Sequence, residues 1–178
     1  MPIIVTENSA AKTYAPHPEG TFAAVCVDAL DLGWKVGPFG EKYRVGLVFY
    51  CGEDGTTDEG DKYPLTAASF FNASFNELST LRKFVESWQG GGFKLPNNDI
   101  EKLIGAPAMI SVQHREHNGK TYANIKSVMP VPKGMTAPNA PEGFIRMCDR
   151  EDWAGPSPRS NTPMAATAPE GDRLPWED

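Results

Sequence analysis

Between Trp34 and Tyr50, rings and cations alternate: Trp34, Lys35, Phe39, Lys42, Tyr43, Arg44 and Tyr50. These residue types suit a flat, polyanionic ligand. Aromatic faces stack on bases while cations follow phosphates, and each stacked base contributes about 1–3 kcal/mol. Lys62 and Tyr63 continue the pattern, as do Arg115, Lys120 and Tyr122 around Asn118-Gly119. The expected ligand is a single nucleic-acid strand, whose unpaired bases leave their faces open.

Other chemistries find little support in the sequence. It contains no phosphate-cradling loop ending in Lys-Ser/Thr and no Gly-x-Ser-x-Gly elbow. Cys26, Cys51 and Cys148 are odd in number and widely spaced, a poor disulfide framework and a poor zinc site. His114 and His117 lack a partner Cys or carboxylate at matching spacing. Gly90-Gly91-Gly92 follows a helical pattern rather than opening one, and Asp28 and Asp31 read as a strand end and a turn. We therefore expect no enzyme activity, no metal and no cofactor.

The elements that must carry these residues follow from periodicity. Thr21 to Leu32 is rich in strand formers, and Gly33, Gly37, Pro38 and Gly40 mark a turn that would include Trp34. From Lys42 to Cys51 the alternation puts Tyr43, Val45, Leu47 and Phe49 on a core face, with Arg44 and Tyr50 pointing out. Lys62 to Phe71 is a third strand, whose Pro64 suits a strand start. Leu78, Leu81, Phe84/Val85 and Trp88 form one helical stripe, with Ser74 or Ser79 as N-cap and the glycines as its stop. Asp99 to Ile104 predicts one more helical turn. Ala108 to His114 and Lys120 to Met129 are strands joined by Asn118-Gly119, a strong hairpin signal.

Three strands, one helix and two strands is the element order of the OB-fold. The expected class is mainly β: a five-stranded, partly open barrel with one helix between strands 3 and 4. Residues 1–20 read as an extended lead-in, 21–133 as the barrel domain and 134–178 as a flexible tail, with room for a local contact around Phe144, Ile145, Met147 and Trp153. Seven of the sixteen prolines fall in that tail, which is too poor in apolar residues to offset its ordering entropy.

The chain carries a net charge of -6, yet the charge is unevenly spread. Residues 1–133 hold 13 Lys/Arg against 15 Asp/Glu, and five of those acids crowd between Glu53 and Asp61. The barrel can thus present a basic face on an acidic protein. The acidic loop has two readings: a soluble hairpin tip, or, together with the tail, a competitor of phosphates for that face. No apolar window is long enough to span a membrane, and Met1 to Ala11 lacks the pattern of a leader, so the expected location is the cytoplasm.

The segments LRKFVESWQGGGF, DIEKLIGAPAMISVQH and NGKTYANIKSVMPVPKG, with HPEGTFAAVCVDALDLG and YRVGLVF before them, resemble a family of bacteriophage and prophage single-stranded-DNA-binding proteins. The resemblance spans roughly residues 14–134. It implies an OB-fold accessory of DNA replication or recombination that binds single-stranded DNA. The end of the chain, with Asp172, Leu174, Pro175 and Trp176, is similar to the acidic, apolar-tipped tails by which bacterial single-stranded-DNA-binding proteins recruit replication or recombination proteins. It departs from them in the Glu177 and Asp178 that follow the aromatic residue. The competing expectation is an acidic OB-like interaction module, an inhibitor or DNA mimic, that never touches DNA. A monomer and a homodimer built on exposed strand edges remain equally open.

Overall fold

The structure, a computed structural model, describes residues 14–91 and 93–160. Five strands form a closed barrel in the order β1-β2-β3-β5-β4. They are β1 (Gly20–Gly37), β2 (Gly40–Thr56), β3 (Lys62–Asn72), β4 (Pro107–His117) and β5 (Lys120–Met129), with helix α1 (Thr80–Gln89) between β3 and β4. This is the expected OB-like architecture, closed rather than partly open. Only one registered pair, Ala68↔Asn124, joins β3 to β5, and that pair is parallel. The other ladders are antiparallel.

β1 closes the barrel by changing partners. Its first part pairs with β4 as far as Val25↔Pro107, and its second part pairs with β2 from Val25↔Tyr50 to Gly37↔Gly40. Register shifts between Cys26 and Asp28 and between Asp31 and Gly33 supply the bend, as bulges do at barrel corners. The strand runs to Gly37, beyond the Leu32 end expected from its two aspartates. Asp31 finds a partner in place, accepting a hydrogen bond from the Tyr43 hydroxyl at 2.7 Å. The turn therefore shrinks to Pro38-Phe39, and Trp34 lies on a strand opposite Tyr43.

Helix α1 plugs one end of the barrel. Ser79 is its N-cap, its hydroxyl accepting from the Arg82 amide at 3.2 Å, and Gly90 ends it at φ 98°. The apolar stripe begins at Leu81, since Leu78 precedes the helix and is exposed. Trp88 is buried against Phe49 and donates its indole N–H to the Pro107 carbonyl at 2.7 Å, which satisfies its one polar atom. The expected turn at Asp99–Ile104 is a short 3-10 helix, Ile100–Leu103, capped by Asp99. Asn118 and Gly119 both have positive φ, 51° and 74°, as a two-residue β4–β5 turn requires.

Residues 134–160 depart from the composition-based expectation of a flexible tail beginning at 134. They run as an irregular strap along the outside of β1. Phe144 packs on Val25, Val27, Val48 and Tyr50, a second apolar cluster outside the barrel. Asp28, only 2% exposed, receives the Arg146 guanidinium at 3.0 Å and the Met147 amide at 2.8 Å, one on each carboxylate oxygen. Glu101 and Asp28 together hold Arg146 firmly protonated. Further on, Ser157 forms a parallel bridge with Gly33, its amide donating to Leu32 and its carbonyl accepting from Trp34. The apolar residues from Phe144 to Trp153 mark the contact made by Phe144 and Met147, whereas composition averages out the polar anchors at Arg146 and Ser157. Residues 161–178, including the rest of the expected tail, lie outside the described residues.

Both anchors are testable. Arg146→Ala leaves a buried carboxylate unpaired and should cost about 3 kcal/mol in urea unfolding, against under about 0.5 kcal/mol for the exposed Arg150→Ala. Equal midpoints for the two variants would contradict the latch. At Gly33 (φ +70°) an added Cβ would lie 2.3 Å from the Ser157 backbone. Gly33→Ala should therefore free the strap, seen as faster proteolysis after Arg146 or Arg150 with the barrel left folded.

Candidate nucleic-acid interface

Three grooves adjoin one another on the barrel face made by β2, β3, β5 and β4. The first, about 590 Å³, lies under the β1–β2 hairpin and is lined by Lys35, Phe39, Lys42, Arg44, Phe70 and Asn72 among others. The second, about 610 Å³, crosses β3, β5 and β4 and is lined by Arg44, Phe70, Gln113, Arg115, Asn124 and Lys126 among others. The third, about 800 Å³, runs past Tyr63, Lys120 and Tyr122 to Tyr14 of the lead-in. Arg44 and Phe70 line both the first and the second, and Ala68 lines both the second and the third, so the path is continuous.

Charge separates this path from the rest of the surface. Among the described residues its lining includes Lys35, Lys42, Arg44, Arg115, Lys120 and Lys126 and no Asp or Glu. None of these six cations pairs with a carboxylate among the described residues. The ion pairs found there belong to Arg82, Arg146 and Arg159. Arg44 is steadied instead by a neutral partner, donating to the Asn72 side-chain oxygen at 3.1 Å. A strip of unpaired cations at the surface of an acidic protein leaves its attraction for phosphate uncancelled.

The aromatic residues on the path are placed by backbone economy. Phe70 stands outside the barrel because its neighbour Phe71 points in, and it lies opposite Gly46. A Cβ on Gly46 would meet the Phe70 ring at 2.9 Å, so the glycine lets the ring lie flat across β2. Phe39 tops the β1–β2 turn, 88% exposed, and Tyr122 is half exposed on β5. Tyr63 meets the edge of Tyr14 at 5.0 Å, and its hydroxyl accepts from the Ala15 amide at 3.0 Å.

Of the residues singled out in the sequence, Lys35, Phe39, Lys42, Arg44, Tyr63, Arg115, Lys120 and Tyr122 line this path. Three do not. Tyr50 points away from the barrel interior as alternation requires, but the strap covers it; it is 7% exposed and donates to Asp54 at 3.2 Å. Trp34 is half-buried, in a T-shaped contact with Tyr43 and with the Arg159 guanidinium 4.8 Å from its ring centroid. Lys62 is exposed at the start of β3, outside the three linings. Asp172, Leu174, Pro175 and Trp176 lie outside the described residues. Phe70, Asn72 and Lys126 were not foreseen. The signal for them was present, since Ala67 and Phe71 point in and Thr66, Ala68, Phe70 and Asn72 must then point out.

The histidines of H-x-x-H do not converge on a metal. The His114 Nε2 lies 2.7 Å from the His17 carbonyl, and the described residues hold no cluster of three His, Cys, Asp or Glu side chains. Burial pushes the Cys26 and Cys51 thiols up to about 12, which marks them as packing groups rather than nucleophiles. Among the described residues no helix is long and apolar enough to cross a membrane.

Comparison with known proteins gives no family: no family model matches this sequence, and no curated protein matches it.

The covered and open tyrosines can be told apart chemically. Burial, then the bond to Asp54, raises the Tyr50 phenol above its ordinary range. Tetranitromethane at mildly alkaline pH should nitrate Tyr122 and Tyr14 first and Tyr50 last, as read by peptide mass spectrometry. Equal rates would mean that the strap does not cover Tyr50.

Proposed function

We propose that this protein binds single-stranded DNA with little sequence preference, coating strands exposed during phage DNA replication or recombination. The supporting observation is the continuous path of exposed rings from Phe39 through Phe70 to Tyr122 and of six cations that, among the described residues, have no carboxylate partner and no acidic neighbour in the lining. On OB-folds the β2–β3 face and its flanking loops are where oligonucleotides lie. Stacking on Phe39, Phe70 and Tyr122 requires unpaired bases, which favours a single strand over a duplex. The Leu174-Pro175-Trp176 tip serves as a handle for replication or recombination proteins, a reading that rests on its composition alone.

Fluorescence anisotropy of a labelled oligo(dT) tests this reading. Affinity should fall as salt rises, by about 0.7 log units per phosphate contacted for each tenfold increase in salt. Phe70→Ala should cost about 1–3 kcal/mol of binding, the range for one lost stacked base. Arg44→Ala should weaken binding and lower the salt slope by about 1, while Lys83→Ala, on the exposed side of α1, should change neither. No binding by the unaltered protein at low salt would overturn the reading in favour of an acidic interaction module.

A further inference from the structure

Beyond the barrel, β1 and β2 continue as a two-stranded arm from Trp34 to Tyr43. The β2–β3 ladder stops at Arg44↔Asn72, and within the arm the only ladder is β1 on β2. An isolated two-stranded ribbon is marginal in water. This one also bears features that folding does not explain. Val36 and Phe39 at its tip are 76% and 88% exposed, and Lys35 stands directly opposite Lys42. Like charges directly opposite across a ladder are destabilising.

The strap braces the arm from one side. Arg159 covers Trp34, the Lys35 ammonium donates to the Ser157 hydroxyl at 2.7 Å, and the Ser160 amide donates to Glu41 at 3.0 Å. Tyr43 roots the ribbon in the core, and its outer part is tethered by residues far along the chain. Its apolar tip stands at the end of the groove path, beside the Lys35, Lys42 and Arg44 pocket. The groove path ends there, so on the single-strand reading a duplex joined to a bound strand at this end begins at the tip.

We infer that this arm is a wedge for single-strand/duplex junctions: Phe39 inserts at the first base pair while Lys35 and Lys42 hold the phosphate of the strand entering the groove. The inference rests on the single-strand reading and adds a duplex-opening activity to it. Apolar side chains that part stacked bases are an established way for proteins to deform DNA, and a duplex end resists least. The facing lysines gain a bridging anion, and the exposed phenylalanine gains a stacking partner.

The experiment uses the full chain, an oligo(dT) and a forked duplex. The fork carries a fluorescent base analogue, quenched by stacking, at its first paired position. Unaltered protein should raise the junction signal. With protein saturating the fork, Phe39→Ala should abolish at least about four-fifths of that rise while weakening oligo(dT) binding by no more than about 150-fold, the upper end for one lost stacked base. Arg159→Ala, which frees Trp34, should reduce the rise, and Arg159→Lys should recover part of it, because both cations can sit on the indole. A full rise with Phe39→Ala would overturn the wedge. So would oligo(dT) binding without any junction signal from the unaltered protein, which would leave the exposed tip to a protein partner. Failure to bind oligo(dT) at all would instead overturn the single-strand reading on which the wedge depends.

Discussion

A carboxylate with almost no contact with water organises this protein. Asp28 sits on the outer side of β1 at the first bulge, and both its oxygens are satisfied by residues of the strap. A buried charge without partners is costly enough that the strap cannot be an ornament. Once Arg146 and Met147 are seated, Phe144 closes over Tyr50 and Ser157 reaches the second bulge at Gly33. The two irregularities that bend β1 into a barrel are thus the two places where the strap is fastened.

The same arrangement sorts the surface. On the strap side lie Asp28, Glu101 and Glu41, each engaged by an arginine. Among the described residues the cations on the groove side have no such partners. Arginines of the strap therefore neutralise acids away from the path and leave the path's own lysines and arginines unopposed. An acidic chain can carry a basic face because its compensation is local. Net charge alone conceals this, and the distribution along the chain only hints at it.

Periodicity made much of the barrel legible. The β2 alternation placed Leu47 and Phe49 inside and Arg44 outside, and Asn118-Gly119 marked its hairpin. Most of the aromatic and basic residues picked out in the sequence line the groove path. Local pattern falls short where one segment's surroundings depend on another far away. Tyr50 is outward on its own strand, and only the strap withdraws it from solvent; Trp34 lies opposite Tyr43 on the ladder and takes the Arg159 guanidinium of the strap over its ring. Phe70 escaped notice for a different reason: two adjacent phenylalanines suggest core, although a strand must send one of them out. An unbroken apolar run at Ala23–Val27 was the one local sign that β1 is covered on both faces.

The latch also orders events during synthesis. Asp28 emerges early, but its arginine follows 118 residues later, and the Lys35–Ser157 bond closes across 122. Contacts so distant in sequence form only after the chain between them has been laid down, and closing such loops slows folding. While translation proceeds, the first three strands hold an aspartate whose fold-completing partner does not yet exist. The barrel's last step belongs to a nearly finished chain, and a message cut short after β5 would yield strands without the segment that fastens them.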